Sequence, residues 1–339
     1  MDAGVAVWSS AAWRERAVGW LDERLLEADI ERTGEVSRPR VRPWAAVLSA
    51  PSTAGRVWLK AAAPRTASEV GLYLVLHRVV PGRVLSPLAV DLDRGWILLP
   101  DGGPSLGGRL DGDALTYALE TALPQYARLQ RELAPHTAEM LAAGVQDMRP
   151  DRMPERFEQA LAVADRYVAR RGTGDDREAL ARLGALRPTV ARWCARLAAA
   201  PGPASVDHND LHPRNILFDA AGGLGPARFY DWGDAVLAHP FASLLYALGA
   251  VQGDVLGVDV QHPATRRMRD AYLGEFADLG GPDELVETVA LACRVGVIAR
   301  ALTWDRAVQA SVDDPAAEVD EDWLRAPFAT LTVLLTSPA

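Results

Sequence analysis

A run of turn-forming residues at positions 100–108 divides the sequence into two parts with different apolar patterns. The run reads Pro-Asp-Gly-Gly-Pro-Ser-Leu-Gly-Gly, and so much glycine and proline interrupts helices and strands alike. Short strand-like segments precede it, and apolar residues at helical spacing follow it. The sequence therefore predicts an α+β fold with a small, strand-rich N-lobe at 1–100, a hinge at 101–111 and a larger, mainly helical C-lobe at 112–339.

The N-lobe is expected to contain a small antiparallel sheet and two helices. Residues 9–30 carry apolar side chains near a helical period, and a second helix is expected from Ser68 to His77. Strands are predicted at 41–49, 55–61, 84–90 and 96–99. Helices of the C-lobe are predicted at about 112–133, 154–171, 176–199, 240–252, 264–279, 282–304 and 320–336.

The composition is that of a globular protein and argues against several classes of partner. The chain has 339 residues, 49% of them apolar and 24% charged, and a net charge of −9. No basic stripe favours nucleic acid, and no apolar run reaches the roughly 18 residues that span a bilayer. The first thirty residues lack a secretory signal pattern, so we expect a cytoplasmic protein. Cys194 and Cys293 are expected to be buried thiols.

Lysine occurs only once. Of 36 basic residues, 35 are arginine and one is Lys60, near the end of the predicted strand 55–61. A lysine ammonium is a compact point charge on a flexible stem, whereas arginine is a planar fork. The count points to a position that requires lysine, although chance survival of one lysine gives the same count.

Polar residues are densest after position 205. Residues 206–218 read Val-Asp-His-Asn-Asp-Leu-His-Pro-Arg-Asn-Ile-Leu-Phe, and residues 229–234 read Phe-Tyr-Asp-Trp-Gly-Asp. Two antiparallel strands joined by the glycine-rich turn between these segments would bring Asn215 close to Asp231. An amide oxygen beside a carboxylate suits Mg²⁺, which prefers hard oxygen ligands. Asp210 lies five residues before Asn215, on the loop that leads into the first strand, and is therefore expected to face the ligand of that metal ion.

These residue types meet the requirements of phosphoryl transfer. A carboxylate orients the attacking hydroxyl and accepts its proton, oxygen ligands hold Mg²⁺ on the phosphates, and a lysine from the opposite lobe neutralises the α- and β-phosphates. The spacing Asp-x-x-x-x-Asn, followed by an aspartate at a strand end, is the order found in protein-kinase-like folds.

Residues 208–217, followed by 230–232, resemble the aminoglycoside phosphotransferase/choline kinase family. That family typically reads His-Gly-Asp-Leu-His-x-x-Asn-Ile-Leu and then Ile-Asp-Trp-Glu or Phe-Asp-Trp-Gly. The resemblance covers roughly residues 40–250, and the remaining C-terminal helices fall where such families build their acceptor sites. It implies a two-lobed protein-kinase-like fold. It also implies an ATP- and Mg²⁺-dependent transfer of the γ-phosphate to a hydroxyl of an aminoglycoside, an amino sugar or a related alcohol.

The resemblance assigns roles within the polar segments. Asp210 would be the catalytic base that orients the acceptor hydroxyl. Asn215 and Asp231 would hold Mg²⁺, and His208 would support the loop through hydrogen bonds.

The resemblance also assigns the nucleotide site. Lys60 would contact the ATP phosphates, and Glu69 would be its ion-pair partner. The segment from Leu98 to Pro100 would offer backbone groups to the adenine.

The chain departs from the family pattern at three places. Asn209 stands where the family has glycine, and asparagine is the next most tolerant residue if that position has positive φ. No glycine-rich phosphate loop occurs in the turn at 48–55, before Lys60. Asp234 is either a further group near the metal or a cap for the following helix.

Alternative interpretations remain at the sequence level. A catalytically silent nucleotide-binding module on the same fold is one, and it is motivated by Asn209 and the missing glycine-rich loop. His208, Asp210 and His212 also spell His-x-Asp-x-His, a pattern found at transition-metal sites of hydrolases. Near the C-terminus, the acidic stretch 313–322 and the pair Trp304-Asp305 are either acceptor-binding groups or ordinary solvated surface.

Overall fold

The computed structural model describes residues 4–218, 225–249, 262–312 and 319–336. The strands in these ranges are β1 (Ser37–Arg42), β2 (Ala45–Ser52), β3 (Gly55–Ala62), β4 (Ala89–Asp91), β5 (Trp96–Pro100), β6 (Gln146–Asp147), β7 (Ser205–Asp207), β8 (Ile216–Phe218), β9 (Ala227–Phe229) and β10 (Val236–Ala238). The helices are α1 (Val5–Ser9), α2 (Ala11–Glu27), α3 (Ser68–Val79), α4 (Gly112–Leu133), α5 (Thr137–Ala142), α6 (Met153–Arg171), α7 (Gly174–Ala185), α8 (Arg187–Ala199), α9 (Leu244–Gly249), α10 (Pro263–Leu273), α11 (Pro282–Val312) and α12 (Glu321–Thr332).

An antiparallel sheet of five strands forms the body of the N-lobe, in the order β1-β2-β3-β5-β4. In this sheet Lys60 lies on the central strand β3, opposite Val47 of β2 and Ile97 of β5. Most of the remaining chain is helical. The predicted fold class, α+β with a small antiparallel sheet and a helical majority, is therefore confirmed.

The strand predicted at 41–49 is in fact two strands. Arg42 of β1 pairs with Ala45 of β2 across a two-residue turn of Pro43 and Trp44. Proline presets the φ angle at the first central position of a turn and has no N–H to contribute to a strand. Sequence analysis missed most of β1 because it is a largely exposed edge strand, without the alternation of apolar residues that marks a half-buried strand.

Tryptophans attach the N-terminal helices to the sheet. Trp13 and Trp20 of α2 meet Trp96 of β5 edge to face, with ring centroids 6.2 and 5.5 Å apart. All three side chains are buried. Such pairs add specific geometry to the burial of large apolar surfaces, so α2 covers the face of the sheet next to β5.

The C-lobe packs around α4 and α11. α10 lies against α4, whereas α11 contacts α6, α8 and α12. The helix predicted at 176–199 is two helices, because α7 ends at Ala185 and Pro188 stands in the first turn of α8, where its missing N–H costs nothing. The helix predicted at 240–252 begins later, as α9, and residues 250–252 lie outside the described part of the chain.

Two small sheets hold the polar segments of the C-lobe. β10 lies between β6 and β7, whereas β8 pairs with β9. Cys194 is buried and Cys293 half-buried, and both are free thiols. In the described ranges no helix has the length and hydropathy to cross a membrane. The predicted lobe boundaries and the cytoplasmic location stay predictions.

Replacing Trp96 by alanine is expected to lower the free energy of unfolding by about 3–5 kcal/mol, because it removes a buried side chain and both ring contacts. Denaturant unfolding measures the change. Tyr117→Ala is the control, since that side chain is 65% exposed and should change stability by less than about 0.5 kcal/mol. Similar losses in the two variants would contradict this packing.

Candidate active site

The loop after β7 has left-handed backbone at the predicted position. Asn209 has a φ of 58°, a conformation that glycine and asparagine adopt more easily than most residues. Its side-chain amide donates hydrogen bonds to Thr303 Oγ1 at 2.8 Å and to the Asp234 carbonyl at 3.3 Å. The asparagine thus supplies the backbone conformation and also attaches the loop to α11.

Asp210 and Asn215 lie next to each other at the two ends of this loop. Asn215 Nδ2 donates to the Asp210 carbonyl at 3.0 Å and lies 3.4 Å from Asp210 Oδ2. Asn215 is buried. Because its NH₂ group faces Asp210, its amide oxygen remains available as a ligand for a cation.

The β8–β9 pairing brings Asn215 to the strand end that carries Asp231. Ile216 pairs with Phe229, and the Tyr230 N–H donates to the Asn215 carbonyl at 3.2 Å. Asp231 follows with a left-handed φ of 62°. A left-handed φ is unfavourable for most non-glycine residues, so Asp231 adopts it because the surrounding structure holds the backbone there.

Lys60 joins the sheet to both α3 and the Asp231 turn. Its Nζ lies 2.7 Å from Glu69 Oε2 and 2.5 Å from Asp231 Oδ1. The Glu69 side chain is 3% exposed, whereas that of Asp231 is 43% exposed. One lysine therefore pairs with a buried carboxylate on one side and with a partly exposed carboxylate on the other.

These contacts set the charge states of the pair. Burial alone would lower the pKa of Lys60, but the charges of Asp231 and Glu69 outweigh it and raise that pKa, so the ammonium stays protonated. The charge of Lys60 in turn lowers the pKa of Asp231. Asp231 is therefore ionised at neutral pH, which is the form that binds a metal ion.

Asp210 is ionised as well. Burial would raise its pKa, but the contact with His212 and the charge of Arg300 outweigh this and lower the pKa to about 2. His212 Nε2 lies 3.4 Å from Asp210 Oδ2, and Arg300 Nη2 lies 3.5 Å from Oδ1. A carboxylate with so low a pKa is a weak base and is better suited to orienting a hydroxyl than to removing its proton early.

Arg300 is a site residue that sequence analysis missed. It comes from α11, forms an ion pair with Asp234 and donates to the Asn209 carbonyl at 3.2 Å. It is only 5% exposed. The sequence does carry one signal for it, since Arg300 is a charged residue inside the apolar run 295–302. A charge in such a run is expected to be buried, and a buried charge normally needs polar or charged partners.

A buried polar network supports the loop from below. His208 is fully buried, its Nε2 lies 3.0 Å from the Tyr230 carbonyl, and its ring lies 4.6 Å from that of Trp232. Burial raises the pKa of Asp207 to about 6, although Ser243 Oγ and the Asn209 N–H both donate to it. His208 therefore lies buried beneath the loop with its ring tilted against that of Trp232, whereas Asp210 and His212 are partly exposed.

Leu98 and Pro100 do not take part in this cluster. Leu98 is fully buried, and its carbonyl accepts a hydrogen bond from the Leu88 N–H. Pro100 is the last residue of β5 and pairs with Val57. Their assignment to adenine, like the roles assigned to Lys60 and Glu69, stays a prediction.

The turn between β2 and β3 lies at the end of these strands that is farther from Lys60. There the Thr53 N–H donates to the Glu31 carbonyl at 2.8 Å. At the other end, nearer Lys60, β1 turns into β2 through Pro43 and Trp44. The Trp44 ring lies 5.3 Å from that of Trp323 in α12. In the strand register, the turn at 43–44 is therefore nearer to Lys60 than the turn at the other end of β2 is.

The remaining candidates lie in different places. The Trp304 ring lies 5.0 Å from the Arg300 guanidinium, and Asp305 pairs with Arg166 at 3.5 Å. Residues 313–318 of the acidic stretch lie outside the described residues. Across the described ranges, no group of three or more His, Cys, Asp or Glu side chains is arranged to hold a metal ion.

A separate cavity of about 1060 Å³ lies between α3, α5, α6 and α11. Ser68, Gly71, Gln159 and Arg306 are among its lining residues, whereas Lys60, Asp210, Asn215 and Asp231 are not. The candidate active site is therefore defined by converging polar side chains and not by this cavity.

Asn209→Ala is expected to be less stable than Asn209→Gly by about 1–2 kcal/mol, because both lose the amide hydrogen bonds but only alanine is strained at positive φ. Unfolding free energies of the two variants give the difference. The control is the same pair at Glu178, an exposed helical residue of α7. There alanine should be the more stable by about 1 kcal/mol, and the same order at both positions would refute the left-handed assignment.

Several known structures share the fold over most of this chain. A macrolide 2'-phosphotransferase type I is 17% identical, with a TM-score of 0.59, 95% of this chain covered and 97% of that one. The choline kinase LicA from Streptococcus pneumoniae is 11% identical, with a TM-score of 0.59, 95% of this chain covered and all of that one. The ethanolamine kinase of Plasmodium vivax is 11% identical, with a TM-score of 0.62, 88% of this chain covered and 81% of that one.

These likenesses confirm the two-lobed protein-kinase-like fold. No match was found among curated protein sequences. The sequence model of the phosphotransferase enzyme family matches residues 46–285, which is most of the chain and includes both the lysine strand and the polar loop. The chain belongs to the phosphotransferase enzyme (APH) family.

Proposed function

We propose that this protein is a kinase that transfers the γ-phosphate of ATP, with Mg²⁺, to a hydroxyl of a small molecule. The observation that supports it best is the contact of Lys60 with both Glu69 and Asp231. This contact connects the lysine of the N-lobe sheet to the turn that also meets Asn215. Phosphoryl transfer depends mainly on positioning and charge stabilisation, and these residues provide both.

Lys60 would bind the α- and β-phosphates. Its Nζ is held by the buried carboxylate of Glu69. A protonated lysine held in one position lowers the cost of bringing phosphate charge into a poorly solvated cleft. Glu69 is accordingly a positioning residue for Lys60.

Asn215 and Asp231 would hold Mg²⁺. Both offer the hard oxygen ligands that this ion prefers, and Asp231 is ionised and partly exposed. Bound there, the ion would neutralise charge on the phosphates. This pair would supply two protein ligands. That number is typical of Mg²⁺ sites, because the ion usually completes its coordination with water and substrate oxygens.

Asp210 would orient the acceptor hydroxyl. Its carboxylate stays ionised because of His212 and Arg300, and its side chain is 23% exposed. It can therefore accept a hydrogen bond from an acceptor hydroxyl and receive the proton as the new P–O bond forms.

The acceptor is proposed to be a hydroxylated small molecule, and aminoglycosides, amino sugars and related alcohols are the classes expected from the sequence. By their names, similar structures act on macrolides, choline and ethanolamine. A silent nucleotide-binding module would be expected to lack one of the four polar side chains, yet Lys60, Asp210, Asn215 and Asp231 are all present. No specific contact favours that alternative.

Asp231→Ala is expected to abolish Mg·ATP turnover, because it removes a metal ligand and one partner of Lys60. Alanine is strained at the left-handed φ of this position, which should lower stability by about 1–2 kcal/mol and leave the fold intact. Asp210→Ala should keep Mg·ATP binding and lower kcat by about 10²–10⁴-fold, the usual contribution of a positioned acid–base group. Calorimetric nucleotide titration and ATP consumption separate the two effects.

The matched control is Asp278→Ala, which removes a surface aspartate paired with Arg131. It should leave both measurements at the wild-type level. Undiminished turnover in Asp231→Ala, with circular dichroism like that of the wild type, would be incompatible with the proposed metal site.

A further inference from the structure

The Arg300 guanidinium lies between two aromatic rings. Its Cζ is 4.6 Å from the ring centroid of Tyr246 and 5.0 Å from that of Trp304. Its Nε also donates to the Tyr246 hydroxyl at 2.7 Å. Both rings are half-buried, and Arg300 itself is buried. A cation over two ring faces gains attraction from both, and more when it is shielded from water.

Two carboxylates complete the surroundings of this cation. Arg300 Nη1 is paired with Asp234 Oδ2, and Nη2 lies 3.5 Å from Asp210 Oδ1. Aromatic rings and carboxylates around one position form the arrangement by which proteins recognise cationic ligands. Here an arginine of the same chain already fills that position, directly beside the candidate catalytic aspartate.

We propose that Arg300 is a specificity-determining residue that takes the place of a substrate cation, so that the acceptor carries no positive charge next to its reacting hydroxyl. This inference rests on the proposed function, because it assumes that Asp210 receives the acceptor hydroxyl. Among the acceptor classes considered above, the inference favours neutral molecules over cationic ones.

The ion pairs lead to the same conclusion. The carboxylates of Asp210 and Asp234 both already have the Arg300 guanidinium as an ion-pair partner. A substrate ammonium near Asp210 would therefore compete with Arg300 for these carboxylates and would meet the repulsion of its guanidinium at the same place. A neutral acceptor is not repelled by Arg300, and its hydroxyl needs only a lone pair of the Asp210 carboxylate as hydrogen-bond acceptor.

The test is a binding measurement that does not require turnover. Choline and its uncharged analogue 3,3-dimethylbutan-1-ol have the same shape and differ in charge. Each is titrated calorimetrically into the wild type and into Arg300→Met, which removes the guanidinium and leaves two rings and two carboxylates. Arg300→Gln is a second variant that retains a hydrogen-bonding side chain.

The matched control is Arg294→Met. Arg294 lies on the same helix, with its guanidinium 4.9 Å from the ring of Trp193, but it has no contact with Asp210 or Asp234 among the described residues. The wild type and this control should show no preference for choline. Arg300→Met and Arg300→Gln should bind choline at least about tenfold more tightly than the neutral analogue.

Two results would overturn the inference. One is a clear preference of the wild type for choline, and the other is no gain in choline binding by folded Arg300 variants. Failure of the proposed function would appear elsewhere, as absence of Mg·ATP binding or turnover in the wild type, so the two outcomes are distinguishable.

Discussion

The pairing of Lys60 with Glu69 and Asp231 is the interaction on which the architecture of the site depends. It links the central strand of the N-lobe sheet, the helix α3 and the turn after β9 at one nitrogen atom. Burying Glu69 would be costly without a cation, and Lys60 supplies that cation. The two lobes are therefore joined at the place that is proposed to bind the phosphates.

The polar loop beside this pair is held by contacts from distant parts of the chain. Asn209 connects it to Thr303 of α11, and His208 connects it to Tyr230 and Trp232. Arg300 then joins Asn209, Asp210 and Asp234 from the same helix α11. These contacts hold Asp210 in one position, which is what its proposed role in orienting the acceptor hydroxyl requires.

The sequence predicted the parts of this site that depend on local spacing. Asn215 and Asp231 were placed together because they flank two strands that are close in the chain, and the structure pairs those strands. Asn209 was expected to tolerate positive φ, and it has one. Lys60 was singled out by its rarity, and the structure places it between two carboxylates.

Sequence reasoning failed where distant segments decide the outcome. Nothing local indicates that Arg300 reaches Asp210, some ninety positions earlier. The turn at Pro43 and Trp44 lies within a run of residues that resembles one strand. The edge strand β1 before it is largely exposed, so it lacks the alternation of apolar residues that would mark it as a separate strand. The roles of the site residues in catalysis stay predictions, because geometry alone does not identify a reaction.

The most direct test of the central claim is phosphorus NMR of the wild-type protein with ATP and a panel of acceptors, with and without Mg²⁺. The panel would contain aminoglycosides, amino sugars, neutral sugars, nucleosides, macrolides and choline-like alcohols. We predict that ADP and a new phosphomonoester appear together with at least one acceptor and only when Mg²⁺ is present. Phosphomonoester formed equally well without Mg²⁺, or a folded protein that does not bind Mg·ATP at all, would contradict the account.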